Sequence, residues 1–244
     1  MPALTVSHLT VQFERQDSPA VEDVSFSLDE GQIAILIGPN GSGKSTVLKA
    51  ILGLVPFTGQ VSIFGAPAVE ARRQIGYVPQ RLGFDVTLPL TVRETVRMPL
   101  LGRRGREVET AFDHFTEALG ISQLLDRPLG TLSGGQLKRA LIARAMVTTP
   151  RLLLLDEPEA GVDIGGEQTL YDLLNSLVSH HRLTALVCSH ELDIVSRYAD
   201  LVLCLNRRLQ CTGPPGDVLT PDALRRLYGA AAALYRHRAG GSPP

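Results

Sequence analysis

At roughly 150 residues per domain, a chain of 244 residues holds one large domain or one domain with a sizeable insertion. Hydrophobic residues make up 44% and charged residues 20%, enough apolar material for a substantial core. The 24 Lys+Arg against 25 Asp+Glu leave a net charge of −1, which excludes a strongly basic nucleic-acid binder and an acidic disordered tail protein.

The first 80 or so residues read as strand-rich. Leu4 to Phe13 and the alternating Val24, Phe26 and Leu28 predict half-buried strands, and Ile33 to Ile37 is a continuous apolar run ending at Gly38, as a strand buried on both faces requires. Val47, Leu48, Ile51 and Leu52 then repeat at helical spacing, with Gly53 placed to close the helix. From about 81 to 150 the helical period dominates, clearest in Val108, Ala111, Phe112, Phe115 and Leu119, with Gly120 as a stop. Leu152 to Leu155 is a second all-apolar run, ending at Asp156; an amphipathic helix follows through Leu170, Leu173, Leu174, Leu177 and Val178. Leu183 to Cys188 and Leu201 to Leu205 predict two further strands. Strands alternating with helices imply a mainly parallel, doubly wound sheet. The expected plan is a core of about 1–80 and 151–230, a helical insertion at about 81–150 and a flexible tail at 239–244. Three sparse cysteines, Cys188, Cys204 and Cys211, argue against a disulfide framework, suggest a reducing compartment and are expected to pack inside strands. No apolar run reaches the ~18–20 residues of a membrane span, and the opening Met1-Pro2-Ala3-Leu4 lacks signal-peptide character. A cytoplasmic chain is expected, reaching a membrane only through a partner.

Gly38-Pro39-Asn40-Gly41-Ser42-Gly43-Lys44-Ser45 matches G-x-x-x-x-G-K-[ST] between a buried strand and a helix, with Thr46 next in line. The glycines let backbone N–H groups wrap phosphates, and the helix N-terminus adds partial positive charge. Lys44 is expected at the β- and γ-phosphates of ATP and Ser45 on Mg²⁺. The chain has only three lysines (44, 49 and 138) among its basic residues, which makes a chance lysine here improbable. Asp156, at the C-terminal end of a buried parallel strand, stands where such sheets bind ligands and is expected to hold Mg²⁺, with Glu157 polarising the attacking water as general base.

A second glycine-rich helix start follows at Leu132-Ser133-Gly134-Gly135-Gln136, with Ser133 as N-cap. Together with the two phosphate motifs it resembles the ATP-binding cassette (ABC) ATPase family over roughly residues 4–229. The resemblance implies an α/β P-loop NTPase (RecA-like) core with an N-terminal antiparallel region and an inserted helical subdomain. It implies roles for Gln80 as the metal-contacting, state-relaying glutamine, His190 as the histidine at the γ-phosphate and Phe13 as the adenine-stacking aromatic. It also implies a role for Asp163 in the loop after Glu157, where Ala160-Gly161-Val162-Asp163 departs from the usual Ser-Ala-Leu-Asp.

The stretch Glu157-Pro158-Glu159-Ala160-Gly161-Val162-Asp163 is similar to that of zinc and manganese uptake ATPases, as are Phe84-Asp85 before Leu90-Thr91-Val92 and the C-terminal run from Leu201 to Gly229. That branch implies a homodimer enclosing two ATP, each signature segment (Ser133, Gly134, Gly135, Gln136) capping the other subunit's nucleotide. It further implies a separate multi-span membrane permease, an extracytoplasmic metal-binding protein acting indirectly, and no nucleic-acid partner; the segment from Gln80 to about Gly102, which follows the state-relaying glutamine and is rich in Leu, Val and Met, is expected to dock the permease. An importer of another substrate such as an iron chelate, or a non-transport ABC ATPase, is the alternative. The chain itself offers no evident transition-metal site, since the adjacent His180 and His181 diverge on a helix and read as solvated.

Overall fold

The computed structural model describes residues 2–14, 17–80 and 89–229; Phe84-Asp85, most of the expected docking segment's first half and the 239–244 tail lie outside the described residues. In chain order the elements are β1 (Pro2–Val11), β2 (Val21–Asp29), β3 (Ile33–Ile37), α1 (Lys44–Ile51), β4 (Thr58–Ile63), β5 (Ala66–Pro67) and β6 (Ile75–Val78). There follow α2 (Val92–Arg97), α3 (Arg106–Ala118), α4 (Gly134–Met146), β7 (Leu152–Asp156), α5 (Ile164–His181) and β8 (Thr184–Cys188). The chain continues through α6 (Leu192–Tyr198), β9 (Leu201–Asn206), β10 (Arg208–Gly213), α7 (Pro215–Val218) and α8 (Pro221–Tyr228).

Two sheets result. Strands β2-β1-β4-β5 pair antiparallel, while β10-β9-β3-β8-β7-β6 form a second sheet whose strands run parallel except for the edge strand β10. This is the mainly parallel α/β sheet with an N-terminal antiparallel region that the sequence predicts. Between β6 and β7 the described residues carry α2, α3 and α4.

Every residue of β3, β7 and β8 is buried, and the period of two divides them between two cores. Ala34, Leu36, Leu152, Leu154, Leu186 and Cys188 point into a cluster shared with α1 and the antiparallel sheet. Ile33, Ile35, Ile37, Leu153, Leu155 and Val187 point into one shared with α2 to α6. A sheet covered on both faces admits a polar residue only where it finds a partner, as Thr184 at the start of β8 does by accepting from the Gly31 N–H (3.0 Å), which is why these runs show no alternation. At roughly 1.5–3 kcal/mol per fully buried aliphatic side chain, the central strands anchor the fold, and the polar loops at their C-terminal ends inherit fixed positions. No helix among the described residues is long and apolar enough to cross a membrane.

The cysteine expectation is corrected. Cys204 on β9 and Cys211 on β10 form a disulfide with Cα atoms 5.0 Å apart, and only Cys188 is free, buried in β8. The pairing depends on a one-residue shift in the β9–β10 ladder between Leu209 and Cys211, which brings Cys211 opposite Cys204. An unshifted hairpin would have set Cys211 against Leu203, so strand spacing alone gave no reason to pair them.

Candidate active site

The phosphate loop is fixed at both ends. Gly38 leaves β3 where a Cβ would sit 2.0 Å from the Leu205 carbonyl oxygen of the neighbouring β9, so no side chain fits. The Ser42 N–H donates to Pro39 O (3.1 Å) and the Arg207 N–H to Ser42 O (2.9 Å), tying the loop to itself and to the β9–β10 turn. α1 starts at Lys44 with no acidic residue in its own first turn, so no carboxylate of the helix itself offsets its positive end. Lys44, 5% exposed, folds its Nζ back onto Gly38 O (2.8 Å) and Pro39 O (3.3 Å). Ser42 Oγ is buried without a hydrogen-bond partner. A buried hydroxyl is costly to leave unpaired, so the loop carries a polar group that a bound phosphate oxygen can satisfy. Asn40 and Gly41 are exposed at the tip.

The carboxylates arrive from β7. Asp156 ends that strand and accepts from Ser45 Oγ at 2.9 Å. Glu157 follows with φ 47, its N–H donating to Cys188 O at 3.0 Å. Its Oε2 accepts from Gln80 Nε2 at 2.5 Å, and its Oε1 lies 3.8 Å from Lys44 Nζ. The structure thus brings Lys44 and Ser45 of α1, Gln80 after β6, and Asp156 and Glu157 at the end of β7 into one constellation. The Ser45 hydroxyl, the Asp156 carboxylate and the Gln80 amide are hard oxygen donors, the set that suits Mg²⁺.

Burial raises the Asp156 carboxyl above its ordinary 3.8, outweighing the Ser45 hydrogen bond and the nearby Lys49 and Lys44. The native chain therefore holds this proton to higher pH than the unfolded chain does, and stability falls as pH rises through the range just above 3.8. Asp156→Asn keeps an oxygen for Ser45 and removes that charge. In metal-free buffer it is expected to melt higher than the parent at pH 7, with the gain shrinking toward pH 3, while ATP hydrolysis collapses. Melting curves across that pH range check the sign; a lower melting temperature at pH 7 rejects it.

The signature segment forms a different surface. Ser133 Oγ accepts from the Gln136 N–H (3.3 Å) and Gln136 Oε1 from the Ser133 N–H (3.1 Å), a reciprocal cap on α4. A Cβ on Gly134 would lie 1.9 Å from Gly161 O, so the absence of a side chain lets the two loops touch. A cavity of about 520 Å³ opens there, lined by Ser133, Gly134, Gly135, Arg139, Gly161 and Asp163 among others. The phosphate loop, Asp156, Glu157 and His190 do not line it.

Residues 21–160, more than half of the chain, match the family model described as ABC transporter. The chain belongs to the ABC transporter family. Its curated relatives include the zinc import ATP-binding protein ZnuC of Magnetococcus marinus, 42% identical over 92% of this chain and 84% of the relative. The ZnuC of Cereibacter sphaeroides is 42% identical over 97% and 94%. Among solved structures, the ADP conformation of an ATP-binding cassette of an ABC transporter superposes with TM-score 0.81 at 29% identity, covering 94% of this chain and 99% of that one.

Three further family positions have distinct settings in this ABC ATPase domain. Phe13 falls past the end of β1, 36% exposed, on the connection whose far end, Ala20–Val21, lies against Gly43. Asp163 is an exposed N-cap of α5 whose side chain makes no capping bond. His190 follows β8, 41% exposed, with Nδ1 3.7 Å from Glu159 Oε1 and Nε2 3.3 Å from Glu191 Oε1.

Two residues beside the site were given no role from the sequence. Lys138, on α4 and 5% exposed, donates to the backbone oxygens of Gln80 (3.1 Å) and Glu157 (3.5 Å). Burial lowers its pKa, and Glu159, Asp156 and Glu157 oppose that shift. It ties the signature helix to the glutamine and carboxylate of its own subunit. Glu159, 2% exposed, accepts from Tyr171 Oη (2.9 Å) and Ser189 Oγ (2.7 Å) and backs His190. The scarcity of lysine could have flagged Lys138 as it flagged Lys44; nothing local announces Glu159.

Proposed function

We propose that this chain is the ATP-hydrolysing subunit of a zinc importer. The observation that carries the reading is the convergence of Lys44, Ser45, Gln80, Asp156 and Glu157 at the C-terminal ends of β3, β6 and β7. Lys44 exchanges its carbonyl partners for the β- and γ-phosphate oxygens, residues 38–46 wrap the phosphates with backbone N–H groups, and Phe13 offers its ring to the adenine. Ser45, Asp156 and Gln80 hold Mg²⁺, which when bound neutralises charge on the β- and γ-phosphates. Glu157 takes the proton of the attacking water, and His190 donates to the γ-phosphate from a ring steadied by Glu159. ABC relatives named as zinc import proteins, at about 40% identity over nearly the whole chain, support zinc as the substrate over an iron chelate, and none of those relatives favours manganese.

The signature cavity, separate from the phosphate loop, supports a two-fold dimer. In it Ser133, Gly134, Gly135 and Gln136, with Asp163 beside them, close over the nucleotide held by the other subunit. The dimer sits on the inner face of the membrane through a multi-span permease, supplied by an extracytoplasmic zinc-binding protein. Leu101, 82% exposed, belongs to the segment that docks the permease.

The test mixes Lys44→Ala and Ser133→Arg subunits in permease-containing vesicles and reads both hydrolysis and zinc uptake. Each homodimer should be nearly inactive. A random equal mixture gives half mixed dimers with one intact composite site, hence about a quarter of parental hydrolysis if the two sites act independently. No recovery on mixing sinks the shared site; parental hydrolysis with no zinc uptake sinks the substrate.

A further inference from the structure

His114 and His181 are far apart in sequence and meet at the surface. His114 lies on the exposed side of α3 and His181 ends α5. Their Nε2 atoms are 3.3 Å apart, with ring centroids separated by 5.2 Å and planes inclined at 74°. The Phe115 ring packs against both, at 4.9 Å from His114 and 5.2 Å from His181, and restricts how far either can turn.

Two imidazole nitrogens at this distance have two uses: one N–H···N bond between them, or one metal ion shared by them. A tetrahedral Zn²⁺ with Zn–N bonds of about 2.0–2.1 Å sets neighbouring ligand nitrogens about 3.3 Å apart, so the ion enters with little rearrangement. Ligation needs neutral rings. Burial, with His114 and His180 adding to it, lowers the pKa of His181, which favours the neutral ring that ligation needs. His180 is engaged along its own helix, with Nδ1 2.7 Å from Ser176 O, and stays outside the pair.

We propose that His114 and His181 form a two-imidazole site for Zn²⁺, water completing the tetrahedron, which ties α3 to the C-terminal end of α5. Among the described residues no group of three His, Cys, Asp or Glu is arranged to hold a metal, so this is an exchangeable site rather than a structural one. Imidazole donors favour Zn²⁺, Ni²⁺ and Cu²⁺ over Mg²⁺ and Ca²⁺, which demand oxygen. The inference is independent of which substrate the transporter moves.

The experiment titrates ZnCl₂ into the nucleotide-free full chain at pH 7.5 by calorimetry, with melting temperature as the second readout. The parent and His180→Ala are expected to bind one equivalent more than His114→Ala or His181→Ala. That equivalent should raise the melting temperature by about 5 °C at a hundredfold excess over its Kd, because the ion binds only the folded arrangement. Both effects should be absent with MgCl₂. The proposal is overturned if the two ligand variants titrate like the parent, if His180→Ala loses the same equivalent, or if the parent binds the extra equivalent without melting higher.

Discussion

Glu157→Gln is expected to leave ATP binding intact while steady-state hydrolysis falls by ~10²–10⁴-fold, the range for removing a positioned general base. Gln has nearly the same shape, and its Oε1 can still accept from Gln80 Nε2, which now stands 2.5 Å from the carboxylate. What it loses is the ability to take a proton, together with the negative charge 3.8 Å from Lys44. Binding therefore survives, since the phosphate loop is untouched. Lys44→Ala separates the two steps from the other side: it removes the cation that faces the phosphates and weakens nucleotide affinity itself. Phosphate release measured beside fluorescent-nucleotide binding resolves the pair. Near-parental turnover in Glu157→Gln assigns the base elsewhere.

The largest stability effect is expected at Glu159. Its two oxygens each accept a hydroxyl hydrogen bond, from Tyr171 and Ser189, and the whole network is sealed from solvent. Glu159→Leu fills the space and leaves both hydroxyls without an acceptor. At about 1–3 kcal/mol for each buried polar group left unpaired, the loss is about 2–6 kcal/mol. In a chain of this size that lowers the melting temperature by about 5–15 °C. Tyr171→Phe removes one bond and its donor together, and should cost much less. Calorimetric melting of the three proteins tests the ordering; an unchanged midpoint in Glu159→Leu means that the network carries no stability.

What the sequence made legible was local. The runs Ile33–Ile37 and Leu152–Asp156 announce buried parallel strands, because a strand covered on both faces must be apolar nearly throughout. The phosphate loop declares itself because its glycines, lysine and serine act as a unit over eight positions. The helix stop at Gly120 was readable for a similar reason, and the structure gives that residue φ 64. What stayed hidden depends on distant partners. Lys138 reaches a carbonyl 58 positions away and Glu159 a serine 30 positions away, and no spacing rule connects such pairs. The Cys204–Cys211 bond waits on a ladder shift that no residue pattern reveals. His181 looked solvated beside His180 because the ring it faces comes from α3, 67 positions earlier.

Glu157 sits at φ 47, a left-handed conformation that a long L side chain adopts at a cost of about 1–3 kcal/mol. Glycine or asparagine would rest there more comfortably. Thermal robustness and turnover therefore pull this one position in opposite directions. An engineering campaign that scored variants only by heat resistance would be drawn to replace the very residue proposed as the general base, enriching sturdier proteins that on this reading bind ATP and do nothing with it. Any such campaign needs an activity screen running alongside it from the first round.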